Sequence, residues 1–215
     1  MVLQLASNTN LATAGTVSTN QIADTSRLWF DGASGRNAYL RMFGTAETVG
    51  GIADSTGQGV IENTEGENTI AASSVLTVNT ANAADNFLYN GFFRNKAGGD
   101  STGTISLVKS GAGKLTLQGG NINYGPTAAA NISTDPLANN ATTVSGGTLA
   151  LVNTTNFGSN LINNSTLEFG TAGDWTFNRS VSGSGNVVKT GPNVTALVAN
   201  NVYSGSTTIE GGTLR

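Results

Sequence analysis

The sequence predicts an all-β protein that winds as a parallel β-solenoid, with almost no helix. Three observations predict this class. The segment VKSGAGKLTL at 108–117 returns as VKTGPNVTAL at 188–197. Apolar residues recur at a spacing near two, which is a strand pattern, and no segment keeps the helical period of 3.6. With 29 glycines and only 3 prolines, polar and glycine-rich corners separate the apolar runs, as in chains of brief strands.

The repeat is longer than this first match. The two copies stay aligned at an offset of 188 − 108 = 80 residues, and they meet again at 142–149 and 207–214 with an offset of 207 − 142 = 65. The first copy therefore holds 80 − 65 = 15 extra residues, at about 128–142. Their length and Pro136 predict a protruding loop. A cassette that returns at fixed spacing indicates a repeat architecture.

Short strands are predicted in order along the whole chain. The first of these strands, at 2–11, alternates apolar and polar residues, and its sequence is similar to that of 148–157. We expect 1–215 to form one continuous solenoid, with a looser repeat over 75–151 and a tighter repeat over 166–215. Ahead of the repeated segment at 108–117, the other strand-like runs lie at 27–32, 37–44, 47–69, 73–79 and 85–91.

Brief strands of this kind cannot bury an apolar side alone. Wound as coils, they would lie about 4.8 Å above one another, with alternate side chains pointing inward and stacking in columns. Glycine would allow the sharp corners. About ten coils would give a length of about 45–50 Å.

The two ends fall at the same phase of the repeat, because Leu214 overlays Leu3 when the GGTL segments are aligned. An end coil of a solenoid exposes sheet edges, and such edges pair unless they are blocked. We therefore expect self-association head to tail through the end coils, within a longer chain or between copies.

Composition excludes several functions. The chain has 10 Lys and Arg against 13 Asp and Glu, and this balance argues against nucleic acid as a partner. It has no histidine and no cysteine, so imidazole bases, thiol nucleophiles and zinc clusters are excluded, and no cofactor is expected. No apolar run reaches about 18 residues, so no membrane insertion is expected. The first residues, MVLQLA, lack the features of a signal peptide.

The repeated segments resemble the autotransporter-associated β-strand repeat, also called the passenger-associated repeat. The resemblance implies a right-handed, single-stranded parallel β-helix, exported to the bacterial cell surface or the extracellular space, and it implies no chemistry. The first copy keeps Lys109, Ser110, Gly111, Gly113, Leu115, Leu117, Gly119, Thr143, Val144, Gly147 and Leu149 of the pattern. The second copy keeps Lys189, Thr190, Gly191, Asn201, Tyr203, Gly205, Thr207, Gly212 and Leu214.

Four groups of residues suggest chemistry, and each has a structural alternative that we favour. SGAGKL at 110–115 imitates a phosphate loop, but Val108 and Leu115 break that motif, so a solenoid corner is expected. Glu62, Glu65 and Glu67 form an acidic group that is either a solvated turn or a cation site.

The other two groups are scattered. Five aspartates are candidates for the paired carboxylates of a polysaccharide-cleaving enzyme, although no two of them share a motif, and the common repeat phase of Asp85 and Asp174 suits a corner role. Ten aromatic residues form either a sugar-stacking platform or, as we expect, an interior column, and Tyr124 and Tyr203 are expected to be partly exposed. The aspartates are Asp54, Asp85, Asp100, Asp135 and Asp174. The aromatic residues are Trp29, Phe30, Tyr39, Phe43, Phe87, Tyr89, Phe92, Phe93, Trp175 and Phe177.

The sequence thus favours a structural filament or stalk segment outside the cell that is not an enzyme. No residue is assigned to catalysis, to a cofactor or to a metal. One alternative is an adhesin that binds surface glycans through the 128–142 loop. A second alternative is a polysaccharide lyase or hydrolase.

Overall fold

A computed structural model of the protein describes residues 2–4, 20–64, 72–96, 103–125, 140–154 and 156–215. Within these ranges the regular elements are all β-strands, and no helix occurs. The first eleven strands are β1 (Val2–Gln4), β2 (Arg27–Trp29), β3 (Ala38–Arg41), β4 (Ala46–Val49), β5 (Gly51–Ala53), β6 (Gly59–Thr64), β7 (Ser74–Asn79), β8 (Asn86–Tyr89), β9 (Phe92–Lys96), β10 (Ile105–Ser110) and β11 (Lys114–Gln118). The remaining strands are β12 (Ile122–Asn123), β13 (Asn140–Val144), β14 (Thr148–Val152), β15 (Asn160–Asn163), β16 (Thr166–Gly170), β17 (Trp175–Phe177), β18 (Val181–Ser182), β19 (Asn186–Thr190), β20 (Val194–Leu197), β21 (Thr207–Ile209) and β22 (Thr213–Leu214).

The named strand pairs are all parallel. Consecutive strands lie in different sheets, and the chain returns to each sheet one coil later, which is the arrangement of a β-solenoid. The first sheet has the order β1-β3-β6-β9-β12, the second β18-β15-β13-β10-β7-β4, and the third β21-β19-β16-β14-β11-β8. Two smaller sheets have the orders β17-β20-β22 and β2-β5.

The register gives the length of each coil in the two copies of the repeat. Lys109 lies opposite Val144 in the first copy, so this coil takes 144 − 109 = 35 residues. Lys189 lies opposite Ile209 in the second copy, a coil of 209 − 189 = 20 residues. The difference, 35 − 20 = 15, equals the insertion deduced from the two sequence offsets. The insertion therefore lengthens a single coil. The register of β13 with β15 shifts by one residue between Asn140 and Thr142, and from Thr142 to Val144 the pairing is regular.

The expected loop needs a correction and a limit. Most of the expected 128–142 loop lies outside the described residues, but 140–142 belong to β13 and do not protrude. The two copies of the repeat are not stacked on each other, because the first lysine lies in the second sheet and the other lies in the third. Coil length varies among the described strands, since 39 − 2 = 37 residues separate Val2 from its partner Tyr39, whereas 60 − 39 = 21 residues separate Tyr39 from Val60.

Inward side chains stack in register, as the alternation predicts. In the third sheet one inward column contains the following five side chains, each at most 6 % exposed. They are Phe87, Leu115, Leu149, Leu167 and Val187. Full burial of a side chain of this size contributes about 1.5–3 kcal/mol relative to exposure, so the columns are a main source of cohesion between coils.

The aromatic interior predicted from the sequence is confirmed for most of its members. Successive rings lie 4.3–6.5 Å apart, centroid to centroid, along the series Phe30, Tyr89, Phe93, Tyr124, Phe157 and Phe177. The predicted members that are buried are Phe30, Phe43, Phe87, Tyr89, Phe93, Trp175 and Phe177.

Four aromatic residues differ from what the sequence predicts, and a fifth agrees with it. Trp29 is 72 % exposed, and Tyr39 and Phe92 are only partly buried. The expectation for Tyr124 is wrong: it is buried, and its hydroxyl finds a partner in the Thr142 hydroxyl at 2.8 Å. Tyr203 is partly exposed, as predicted.

Candidate functional site

The lysine shared by both copies of the repeat lies inside the solenoid. Strand alternation turns Ile105, Leu107 and Lys109 of β10 to the same, buried side. The Lys109 side chain reaches the corner after its strand, where Nζ donates hydrogen bonds to the carbonyl oxygens of Ser110 at 2.8 Å, Gly111 at 3.2 Å and Gly146 at 2.9 Å. Two of these carbonyls belong to its own coil, and the third belongs to the next.

The second copy makes the same contact, with its lysine in the third sheet instead of the second. Lys189 of β19 is also fully buried, and its Nζ donates to the carbonyl oxygens of Thr190, of Gly191 at 3.0 Å and of Gly211 at 3.4 Å. The lysine therefore ties the corner of one coil to the corner of the coil above it. This role for the lysine was missed from the sequence, although its inward parity in both copies was a signal.

The glycines at these corners are required by close backbone approach. Gly147 has a φ of +60°, in the left-handed region. A Cβ atom there would lie 2.2 Å from the carbonyl oxygen of Gly113 in the coil below. The corner can therefore come within reach of the lysine only if this position has no side chain.

The corner has the wrong polarity for phosphate. A phosphate loop directs backbone N–H groups at its ligand, whereas carbonyl oxygens converge here on an ammonium group. Lys114, which a phosphate loop would use, instead places its Nζ 2.7 Å from Oε2 of Glu168. The interpretation of 110–115 as a solenoid corner is confirmed.

Burial changes the acid–base behaviour of the repeat lysines. Removal from water disfavours the charged form, and it lowers the pKa of Lys109 to about 8. The same cause lowers the pKa of Lys189.

Glu62 does not lie on a solvated turn, and that expectation is wrong for this residue. Glu62 is fully buried in β6 and stands in register between Arg41 and Arg94. Its Oε1 accepts from Nε of Arg41 at 3.0 Å, and its Oε2 accepts from Nη2 of Arg94 at 2.9 Å. Both oxygens are therefore occupied by cations, which disfavours a calcium site. Glu65 and Glu67 lie outside the described residues.

The candidate aspartates act as corner caps where the structure describes them. Asp54 accepts from the backbone N–H groups of Thr56, Gly57 and Gly59 and from the Thr56 hydroxyl. Asp85 accepts from Asn82 and Arg27, and Asp174 accepts from the Val194 N–H. These partners are not other carboxylates, so the pairing that a glycosidase needs is not seen at these three sites. Asp100 and Asp135 lie outside the described residues. Among the described residues, no group of three or more acidic side chains could hold a metal ion.

An open depression lies beside Trp29, and we call it the Trp29 depression. Its volume is about 390 Å³. Its floor and walls come from β2, from β8 and from the corner after β5. The lining residues are Trp29, Phe30, Asp31, Ala53, Asp54, Ser55, Asn86, Phe87 and Leu88.

The coil formed by 198–215, which we call the terminal coil, has exposed apolar side chains. Val198 is 62 % exposed, Val202 49 % and Ile209 52 %. β21 and β22 are edge strands of their sheets. Sheet edges of this kind readily pair with a further strand.

The comparisons with known proteins agree with this geometry. The family model of the passenger-associated-transport-repeat matches residues 107–151 and 187–215. Each match begins two residues before a buried lysine and includes the glycine corner that this lysine bonds. The curated proteins and the solved structures give no match to the chain. In the described part of the chain, no helix is long and apolar enough to span a bilayer.

Replacing Lys109 with methionine should destabilise the fold, because three corner carbonyls lose their donor inside the protein. We expect a loss of about 2 kcal/mol in the free energy of unfolding, measured by urea denaturation. The control is Lys114→Met at the other end of the same corner. That lysine is partly exposed in a surface ion pair, so its loss should be below about 1 kcal/mol. Equal losses in the two variants would contradict the assigned role.

The same lysine predicts how stability changes with pH. The pKa of Lys109 is about 8 in the folded protein and near 10.5 in the unfolded chain. Between these values the unfolded chain binds more protons, so the free energy of unfolding should rise with pH, while below pH 8 this contribution stays constant. Denaturation of the parent protein and of Lys109→Met at pH 7 and pH 9.5 isolates the contribution of Lys109. Lys189 is present in both proteins, so its contribution cancels when the two pH profiles are compared. Parallel pH profiles would rule out the lowered pKa.

Proposed function

Since the chain contains two copies of the passenger-associated transport repeat, we propose that it is a non-catalytic structural segment of an exported protein at the bacterial surface. In this proposal residues 1–215 form one right-handed, single-stranded β-helix that serves as a stalk or filament segment.

The observation that carries the proposal is the set of contacts that the buried charged side chains make. The buried lysines bond corner carbonyls, Glu62 is held by two arginines, and Asp54 is held by its own turn. The lysines and Glu62 join one coil to the next, and Asp54 fixes its own turn, so these charged groups serve contacts within the fold. This arrangement supports a structural role, whereas the lyase or hydrolase alternative gains no support from the three described aspartates.

Head-to-tail association extends this proposal. The terminal coil offers edge strands and exposed apolar side chains, and β1 is an edge strand of the first sheet, with Leu3 46 % exposed. Because Leu3 and Leu214 share a phase of the repeat, β1 of one copy would continue the stack after β22 of another. Parallel pairing of this kind adds backbone hydrogen bonds and covers the apolar side chains together.

Sedimentation velocity over a wide concentration range should detect end-to-end oligomers of the 215-residue chain, and electron microscopy should show growth along one axis. Ile209→Lys should shift the protein toward monomer by at least about tenfold in dissociation constant, because a charge would be buried between coils.

The matched control is Val75→Lys, on the outer face of β7 and 37 % exposed. It adds the same charge away from both ends and should leave association unchanged. Monomers at every concentration, or equal loss in the two variants, would refute head-to-tail association.

A further inference from the structure

Trp29 is placed unlike the other tryptophan of the chain. Trp175 is 8 % exposed and packs against Phe169 and Phe177, whereas Trp29 is 72 % exposed. Among the aromatic rings that the structure describes, the Trp29 ring pairs edge-on with Phe87, at a centroid distance of 6.3 Å. This exposed ring contrasts with a fold that buries most of its aromatic residues, and tryptophan is enriched at binding interfaces.

The shape of the Trp29 depression follows from small residues on β5. The register pairs Trp29 with Ala53, and the N–H of Asp54 bonds the carbonyl of Leu88 at 2.9 Å. Ala53 thus lies between a strand that carries Trp29 and a strand that carries Leu88, which is 40 % exposed. The methyl group leaves the space between the two larger side chains open. The volume of about 390 Å³ is at the lower end of the range for ligand pockets.

The surroundings of the depression are held in place before any ligand arrives. The Phe87 ring occupies the place of a missing side chain at Gly51, where a Cβ atom would lie 2.5 Å from it. Arg27 lies over the same ring at 5.5 Å and bonds Asp85 at 2.9 Å. Asp54 fixes the turn that carries Ser55. A site that is already ordered loses little entropy on binding.

The polar groups at the depression indicate the chemistry of the ligand. Asp31, Ser55 and Asn86 are exposed, and their side chains form no hydrogen bond with any residue that the structure describes. They offer a carboxylate, a hydroxyl and an amide beside the indole. Lysine and arginine do not line the depression, so an anionic ligand would meet Asp31 without a compensating charge.

We propose that the Trp29 depression binds a neutral glycan chain. The C–H face of a pyranose ring packs on the Trp29 indole, and its hydroxyl groups exchange hydrogen bonds with Asp31, Ser55 and Asn86. Apolar stacking beside a few polar groups suits a sugar, which has both kinds of surface. The site is on the body of the solenoid and not on the 128–142 loop. It uses Trp29, one of the ten aromatic residues for which the sequence left a sugar-stacking role open, and it does not depend on the stalk role.

Tryptophan fluorescence tests the proposal. The chain has 2 tryptophans, so Trp175→Phe leaves Trp29 as the single indole. Its emission should be that of an indole in water, and titration with cellohexaose or chitohexaose should shift it to shorter wavelength with a saturable curve. In calorimetry, Trp29→Ala should abolish this binding, and Asn86→Ala should weaken it at least about fivefold. Val75→Ala should not change it. A sulfated heparin oligosaccharide should not bind.

Three results would overturn the site. The first is that neither neutral glycan binds saturably at millimolar concentration. The second is that a folded Trp29→Ala protein binds as tightly as the parent protein. The third is that the Trp29 emission is already blue-shifted before any ligand is added. The last result would mean that protein covers the indole. Association of Trp29→Ala, followed by sedimentation, should equal that of the parent protein, so failure of the glycan site and failure of the stalk proposal are distinguishable.

Discussion

In-register parallel pairing between successive coils is the constraint on which the rest of the structure depends. Each strand bonds a strand one coil away, so side chains at equivalent positions are forced into the same columns. Leucine stacks on leucine inside, and the arginines at 41 and 94 stack on either side of Glu62. A shift of one residue would turn every inward side chain outward. The pairing therefore selects the sequence pattern, and the pattern in turn fixes the pairing.

Corners are the points where such a stack is most easily lost, because the turning backbone leaves polar groups without strand partners. Here a buried lysine supplies the donors, and glycines let the corners of adjacent coils approach each other. The two copies of the repeat use this contact in different sheets, so it is a property of the cassette and not of one face. Coil length is then free to vary. A 15-residue insertion changes one coil, and the register returns to the same columns.

Periodicity predicts the all-β, parallel arrangement and the length of the insertion, because both depend on local alternation and on the spacing of repeated segments. The aromatic interior is predicted by the same parity. The positions of Trp29, Tyr124 and Glu62 are not, because their exposure depends on neighbours in other coils. Ala53 leaves Trp29 uncovered, Thr142 gives Tyr124 a buried partner, and two arginines more than 20 residues from Glu62 neutralise it. These contacts depend on coil lengths, and in this chain the coil lengths are irregular.

Disulfide trapping of the register tests the central claim most directly, since the chain contains no cysteine of its own. Val188 lies opposite Thr208 in the adjacent coil, and strands about 4.8 Å apart bring their Cα atoms within disulfide range. The pair Val188→Cys and Thr208→Cys should cross-link rapidly under mild oxidation, within a single chain. The pair Val188→Cys and Glu210→Cys, two residues out of register, should cross-link far more slowly. Equal rates for the two pairs, or no cross-link at the first, would contradict the stacked-coil structure.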